Sequence, residues 1–330
     1  MERKLFLIDG NSMLASAYYG AAASRTKKGR EVSKNDRSAV IGMTGLIRTI
    51  LRRHRPTHFV VVWDVSRETL WRRELYPGYK RRRRQTPPEL KAQMELMRQL
   101  LEDSGIPQFQ VEGYEGEDLI AHIARKFSCS APVVIMTKDK DLLQLVSPRI
   151  TVWLQTQELQ QMQARCDIRD NRPLPLKRHL EIRPEEIAAL YEGLKPKQLS
   201  AVKALTGDRS DGIPPVAGLD ESQSVQLIKR FGSLDKLYSA LSIKGEKRQQ
   251  VNETIAALTS EEVPRNLRRT RKKAERNMEL VRLDVTVPAL EHLKLAHLEL
   301  SLNPKRVEQA YQKRGLRLSF NAGQKKTSAR

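Results

Sequence analysis

The sequence predicts an α/β protein, a parallel sheet flanked by helices with a helical domain after it. Two observations lead there. Short apolar runs alternate with helix-like stretches as far as Gln155. Past that residue the chain turns polar and then helical, with short Gly- and Pro-rich turns.

"KLFLID" (Lys4–Asp9), "HFVVVWD" (His58–Asp64) and "VVIMTKD" (Val133–Asp139) are the first strand candidates, and each ends in an aspartate. Unbroken apolar runs suit parallel strands covered on both faces. Helical stretches separate them at Arg37–His54, Pro87–Gly105 and Gly116–Phe127, and "RITVWLQ" from Arg149 reads as a fourth strand. Such alternation implies right-handed crossovers. Residues 156–180 are polar and read as a linker or mobile connection. From Pro184 to Thr259 the pattern is a compact set of helices, followed by the basic run Pro264–Arg276. "ELVRLDVTVPAL" (Glu279–Leu290) reads as strand or extended, and the tail from Asn321 as disordered.

The chain has 330 residues, 60 Lys and Arg against 39 Asp and Glu, and a net charge of +21. A field of that size implies a polyanionic partner, nucleic acid before an anionic membrane surface. No run approaches the roughly 18 apolar residues of a membrane span. The first apolar run is too short for a signal peptide. Two cysteines without metal-ligand spacing point to reduced thiols and a cytoplasmic setting.

In an open parallel sheet, ligands bind beyond the carboxyl ends of the strands. Asp9, Asp64 and Asp139 all fall there, with Asp141 two residues on, and Glu115, Glu117 and Asp118 open a helix. Any single one of these acids could be a helix cap or first-turn acid. Together, unpaired, they would repel one another and hold their protons more tightly. Oxygen ligands without His or Cys favour Mg²⁺ or Mn²⁺. A cluster of this size suits two ions and in-line attack on a phosphodiester.

Five ordered segments, "LIDGNSML", "VVWDVSRETLWRRELYPGYKRRRR", "EGYEGEDLI", "TKDKDLLQLV" and "ALTGDRSDGIP", resemble the bacterial 5′→3′ exonuclease and flap endonuclease family. That family includes the nuclease domain of DNA polymerase I and phage 5′-nucleases. The resemblance covers residues 4–320, interrupted near 156–180. It implies a PIN-like (resolvase-like) α/β domain over 1–185 with a helical arch around 76–100. A helix–three-turn–helix domain over 186–285 and a segment 286–320 packing back on the nuclease domain complete the expected fold. With no room for a polymerase, the chain reads as a free-standing, monomeric, cytoplasmic nuclease beside a separate polymerase and ligase.

The resemblance further implies one metal site around Asp9, Asp64, Glu115, Glu117 and Asp118, and a second around Asp139, Asp141, Asp208 and Asp211. Asp9, Asp64 and Asp139 would be catalytic with Lys80 and Arg83, whose charges neutralise the scissile phosphate. Arg72, Arg81, Arg82 and Arg84 would contact DNA phosphates. Tyr76 and Tyr79 would stack on bases or else pack in the core. The hairpin at Gly218 would grip duplex backbone without reading sequence, in the family often with K⁺. The expected substrate is DNA with a 5′ flap or 5′ end at a duplex junction, cut in replication or repair. The alternatives are an RNA- or primer-directed nuclease and a catalytically impaired DNA-binding protein.

Four departures from the pattern bear on these expectations. Glu117 replaces an Asp, Ser16 an Arg and Gly212 an Asn, and the hairpin Ile213–Ser224 carries Asp220 and Glu221 where a phosphate should approach. This makes K⁺ doubtful and shifts duplex anchoring toward Arg268, Arg271 and Lys272. Reversing those three charges is expected to weaken duplex binding and flatten its salt dependence, measured by titration at several salt concentrations. An unchanged slope would refute it.

Overall fold

The computed structural model describes residues 3–26, 36–166 and 174–316. Its six strands are β1 (Leu5–Asp9), β2 (His58–Val62), β3 (Gln108–Phe109), β4 (Val133–Thr137), β5 (Ile150–Gln155) and β6 (His179–Ile182). They form one sheet in the order β3-β2-β1-β4-β5-β6. All neighbours are parallel except β5 and β6. Leu5 of β1 sits opposite both His58 and Val133, so the three Asp-terminated strands end near one level.

The apolar runs are unbroken because each strand is covered twice. Leu5, Leu7, Val60 and Val62 face α5 (Gly116–Phe127), while Phe6, Ile8, Phe59 and Val61 face α1 (Gly10–Thr26), α2 (Ser38–His54) and α4 (Pro88–Ser104). Alternate residues go to opposite faces, as strand geometry requires. The expected strands and helices match within a residue or two. The strands β3 and β6 were not foreseen: β3 has two residues, and β6 lies in the stretch read as a linker. That stretch also holds α6 (Leu159–Arg165), while 167–173 lie outside the described residues.

The expected helical arch is only partly helical. A short α3 (Trp71–Leu75) is followed by turns and irregular chain up to α4 at Pro88. Pro77-Gly78 interrupts that stretch and Pro87-Pro88 opens α4, so no continuous helical ladder runs through it. After α7 (Pro184–Leu190) comes a separate helical core built from α8 (Leu199–Thr206), α9 (Glu221–Phe231), α10 (Leu234–Leu241), α11 (Glu246–Leu258), α12 (Val263–Arg269) and α13 (Arg271–Val281).

The segment expected as strand or extended at 279–290 is the end of α13 followed by an extended stretch, without a partner strand among the described residues. Side chains satisfy its backbone: Leu283 N donates to Gln144 Oε1 at 3.0 Å, and Val287 N donates to His122 Nδ1 at 3.1 Å. Beyond it Leu290 and Leu298 join one sheet-face core. From α14 (Pro304–Gln312), Val307 and Tyr311 join the other. The tail expected to be disordered lies outside the described residues.

The helical domain meets the nuclease layer at Gly212, which has φ +72. A Cβ there would lie 2.7 Å from Gly78 O, and beside it Lys80 N donates to Asp211 O at 2.7 Å. Glycine suits this position because the two segments touch backbone to backbone. Gly212→Ala is expected to cost about 1–3 kcal/mol. Thermal unfolding checks this, and a wild-type melting temperature would contradict it.

Candidate active site

Strand order reverses between β1 and β4, and a cleft of about 1460 Å³ opens at their carboxyl ends. Asp9 ends β1, Asp64 follows β2, and Asp139 follows β4; all three line the cleft. Local chemistry fixes each one. Asp9 accepts from Ser12 N at 2.9 Å and Thr137 Oγ1 at 2.7 Å. Asp64 accepts from Gly116 N at 2.8 Å, at the start of α5. Asp139 caps the turn after β4 by accepting from Asp141 N at 2.9 Å. Gly10 has no side chain because a Cβ there would sit 2.7 Å from the Trp63 ring, so α1 can begin directly behind Asp9.

The acids differ in how fully cations meet them. Arg72, with 0% exposure, grips Asp118 with two bonds of 2.6 and 2.7 Å. Its guanidinium also reaches Glu115 at 3.2 Å and Glu117 at 3.4 Å, and donates to Leu280 O at 2.8 Å. Glu115 is further held by Lys80 and by Tyr79 Oη, which donates at 2.7 Å. Two other groups of three keep their carboxylate oxygens within 4.8 Å of one another. One is Glu117, Asp139 and Asp141; the other is Asp141, Asp208 and Asp211. Asp208 and Asp211 are placed by a turn in which Asp208 Oδ1 accepts from Ser210 N at 2.7 Å and from Asp211 N at 3.2 Å. Lys203 bonds both Asp141 and Asp208, the latter at 2.7 Å.

Proton affinities follow the local balance of burial and neighbouring charge. Burial, with the charges of Asp64 and Asp139 adding to it, raises Asp9 to about 7. Burial and the charge of Asp139 raise Asp141 to about 6 despite Lys203. Burial also raises Asp64, and it pushes Glu117 well up, Arg72 opposing only in part. Burial would raise Asp208 as well, but Lys203 and the turn donors hold it at about 2. Glu115 likewise stays below its ordinary value, because Lys80 and Arg72 outweigh burial. Asp9, Asp64, Asp141 and Glu117 are thus pushed above the ordinary carboxyl range, a shift that added positive charge relieves. The all-oxygen donor set fits a hard divalent cation.

With this geometry in place, comparisons with known proteins agree. Residues 4–169 match the model of the 5′-3′ exonuclease N-terminal resolvase-like domain, and residues 194–305 match its C-terminal SAM fold. The chain belongs to the 5′-3′ exonuclease family. It is 35% identical over 249 residues to DNA polymerase I of Bacillus caldotenax, covering 75% of this chain and 26% of that protein. It is 31% identical over 265 residues to the Bacillus subtilis polymerase, covering 79% and 27%. The chain thus spans about a quarter of the length of these relatives. The fold resembles the bacteriophage T5 D15 protein co-crystallized with metal ions, with TM-score 0.61, 19% identity and coverage of 85% and 90%. It also resembles T5 D15 flap endonuclease in a pseudo-enzyme-product complex with DNA and metal ions, with TM-score 0.62, 17% identity and coverage of 94% and 98%.

Within this family frame the structure corrects several residue expectations. Arg72 is sealed from solvent, so it holds carboxylates and does not touch DNA. Tyr79, 1% exposed, belongs to the helical-domain core and bonds Glu115, which removes it as a stacking surface. Tyr76 is half-buried, with Arg276 over its ring at 4.0 Å. Asp118 has both oxygens on Arg72 and stands apart from the candidate ion groups. Glu117 joins Asp139 and Asp141 rather than the first set, and Glu115 joins neither group of three. Arg268 donates to Leu241 O at 3.1 Å and to Asn252 Oδ1 at 2.5 Å. Its reversal would disturb helix packing, so Arg271 and Lys272, both exposed, carry the test of the basic face.

Other expected positions are free to act. Arg81, Arg82, Arg83 and Arg84 are exposed, and Arg67 pins the carbonyls of Arg83 and Arg84 at 2.9 Å each. Gly218, with φ +81, is exposed on the hairpin. Sequence reasoning missed Lys203, for which the only signal was a lysine one helical turn before "GDRSD".

The raised carboxyls predict how stability depends on pH. The folded state keeps these protons through about pH 6–7, whereas an unfolded carboxyl loses its proton near pH 4. Without ions, stability therefore falls as pH rises through this window. A divalent cation would bind the deprotonated acids, so the gain in melting temperature that Mg²⁺ or Mn²⁺ gives over EDTA is expected to grow from pH 5 to pH 8. A gain that is absent or independent of pH would refute the site.

Proposed function

We propose that this chain is a Mg²⁺-dependent 5′-nuclease, also served by Mn²⁺, that cuts the 5′ strand of DNA where it leaves a duplex. The observation that carries this reading is the pair of three-carboxylate groups sharing Asp141, of which Glu117 and Asp139 line one cleft with Asp9, Asp64 and the exposed Arg83 and Arg84. Glu117, Asp139 and Asp141 would hold one ion and Asp141, Asp208 and Asp211 the other, with Asp9 and Asp64 facing them from the cleft floor. Bound ions there supply an activated water and charge stabilisation for the leaving oxygen.

The chain's own residues prepare the rest. Arg81, Arg82 and Arg84 gather backbone phosphates, and Arg83 lies 3.9 Å from Asp211 at the edge of the second group. Lys80 keeps its charge firmly, because Glu115, Glu117 and Asp211 overcome the effect of burial. It can turn from Glu115 to a phosphate as negative charge builds.

The hairpin grips duplex less strongly than the family pattern suggests. Asp220 caps α9 from within, accepting from Gln223 N at 2.7 Å, and so occupies an amide that a phosphate would use. Duplex anchoring accordingly moves to the exposed Arg271 and Lys272. A separate polymerase and ligase would use the product, in a cytoplasmic setting.

Asp139→Ala is the sharpest test. It is expected to lower cleavage of a labelled 5′ flap in Mg²⁺ by at least about 10³-fold while flap binding persists. Full activity in the variant would overturn the assignment. A wild-type protein that binds flaps but never cuts them in either ion would identify a binding protein. Preferential cutting of RNA flaps would move the substrate class.

A further inference from the structure

Asp141 belongs to both groups of three carboxylates, so an error in its position is felt at both. Glu117 and Asp139 come from the sheet layer, at the start of α5 and the end of β4, whereas Asp208 and Asp211 follow α8 in the helical domain. The Asp141 turn must therefore be held against a turn from another layer.

Packing alone does not achieve this. Leu142 and Leu143 pin the turn, Lys140–Leu145, to the sheet-face core, and the Asp139 cap acts within it. Neither fixes it relative to the helical domain. Lys203 does span the two turns, yet it grips carboxylate oxygens that an ion would need. Gln144 spans them differently. Its Nε2 donates to Asp141 O at 2.9 Å and to Val281 O at 3.0 Å, while its Oε1 accepts from Leu283 N at 3.0 Å. This amide holds Asp141 by its backbone and leaves the carboxylate free.

The far end of that bridge is a junction. Leu280 and Val281 close α13 inside the helical-domain core, and Leu283 already lies in the sheet-face core. The chain crosses between the two cores where Gln144 meets it. One helical turn earlier, Asn277, with 0% exposure, donates to Ala204 O at 3.0 Å and to Pro214 O at 2.8 Å. Those carbonyls flank the turn of Asp208 and Asp211, which Asp208 N and Ile213 O close at 2.8 Å. The end of α13 thus carries both ligand turns, each through one side-chain amide.

We propose that Gln144 is a positioning residue for the ion site, setting Asp141 against Asp208 and Asp211 with the end of α13 as the common frame. The proposal deepens the nuclease reading and rests on the ion groups named there. Groups that orient a ligand without touching the ion typically govern its affinity by about 10- to 100-fold.

The test measures Mn²⁺ binding to the full chain without DNA, by isothermal titration calorimetry. Gln144→Met, similar in length but unable to form the three bonds, is expected to weaken Mn²⁺ binding about tenfold or more. His122→Leu is the control, because it removes the bond accepted from Val287 N and loosens the same crossing chain away from Asp141. It should lower the melting temperature and leave Mn²⁺ affinity at the wild-type value. With a labelled 5′ flap, the Gln144→Met rate should fall at low Mn²⁺ and recover as Mn²⁺ is raised, with KM for the flap unchanged. Should that variant not fold, Gln144→Asn, whose amide is drawn back by one methylene, is read in the same way. Wild-type affinity in the Gln144 variant, or an equal loss in His122→Leu, overturns the proposal. So does a rate that added Mn²⁺ cannot restore. Wild-type protein that binds Mn²⁺ but cuts no flap sinks the nuclease reading and leaves the role of Gln144 to the binding data alone, which decide it by the same comparison.

Discussion

A guanidinium with no exposure lies between the sheet layer and the helical domain, and the arrangement of the acids around the cleft depends on it. Taking Arg72 out of water carries a desolvation penalty of several kcal/mol, which excellent geometry must offset. Asp118 supplies two short bonds, Glu115 a third contact, and Leu280 O a fourth, while the Trp71 ring lies 4.7 Å from the guanidinium. Leu280 belongs to α13 and Asp118 to α5, so one side chain joins the last helix of the helical domain to the first turn at the cleft.

With Asp118 and Glu115 neutralised, the remaining acids face one another with little compensation. The raised proton affinities of Asp9, Asp64, Glu117 and Asp141 are the electrostatic sign of a site built for more positive charge than the protein itself provides. Lys203 supplies part of that charge, since its ammonium lies between Asp141 and Asp208. It keeps the second group compact and competes with an ion for the same oxygens. The contrast between a buried, fully paired arginine and a less buried lysine matches their chemistry. A planar fork holds a fixed frame, whereas a flexible ammonium can yield.

Positive charge is also distributed by role over the surface. The exposed arginines at 81–84 flank the cleft, and Arg271 and Lys272 lie on the helical domain. The hairpin between them, closed by its own Asp220 cap, gives up some of the backbone amides that would hold phosphate. On the proposed reading, duplex recognition would rely more on side-chain charge than on backbone amides and would be more sensitive to salt.

Much of this was legible in the sequence. Unbroken apolar runs ending in Asp marked β1, β2 and β4, because strands covered on both faces need no polar alternation. The same aspartates marked the cleft, because parallel strands bring their carboxyl ends to one edge. Periodicity could not see β3, two residues long, or β6, whose polar approach concealed four paired residues.

Nor could spacing show which acids were spoken for. Glu115, Glu117 and Asp118 occupy one helical turn, yet the first and last are neutralised by Arg72 and Lys80, and the middle one joins Asp139 and Asp141. Local sequence determined the elements and the residue types available, because dihedral preference and burial pattern act over a few residues. Only the tertiary structure decided which carboxylates stayed free, because charge pairing is settled by side chains that meet across dozens to hundreds of residues.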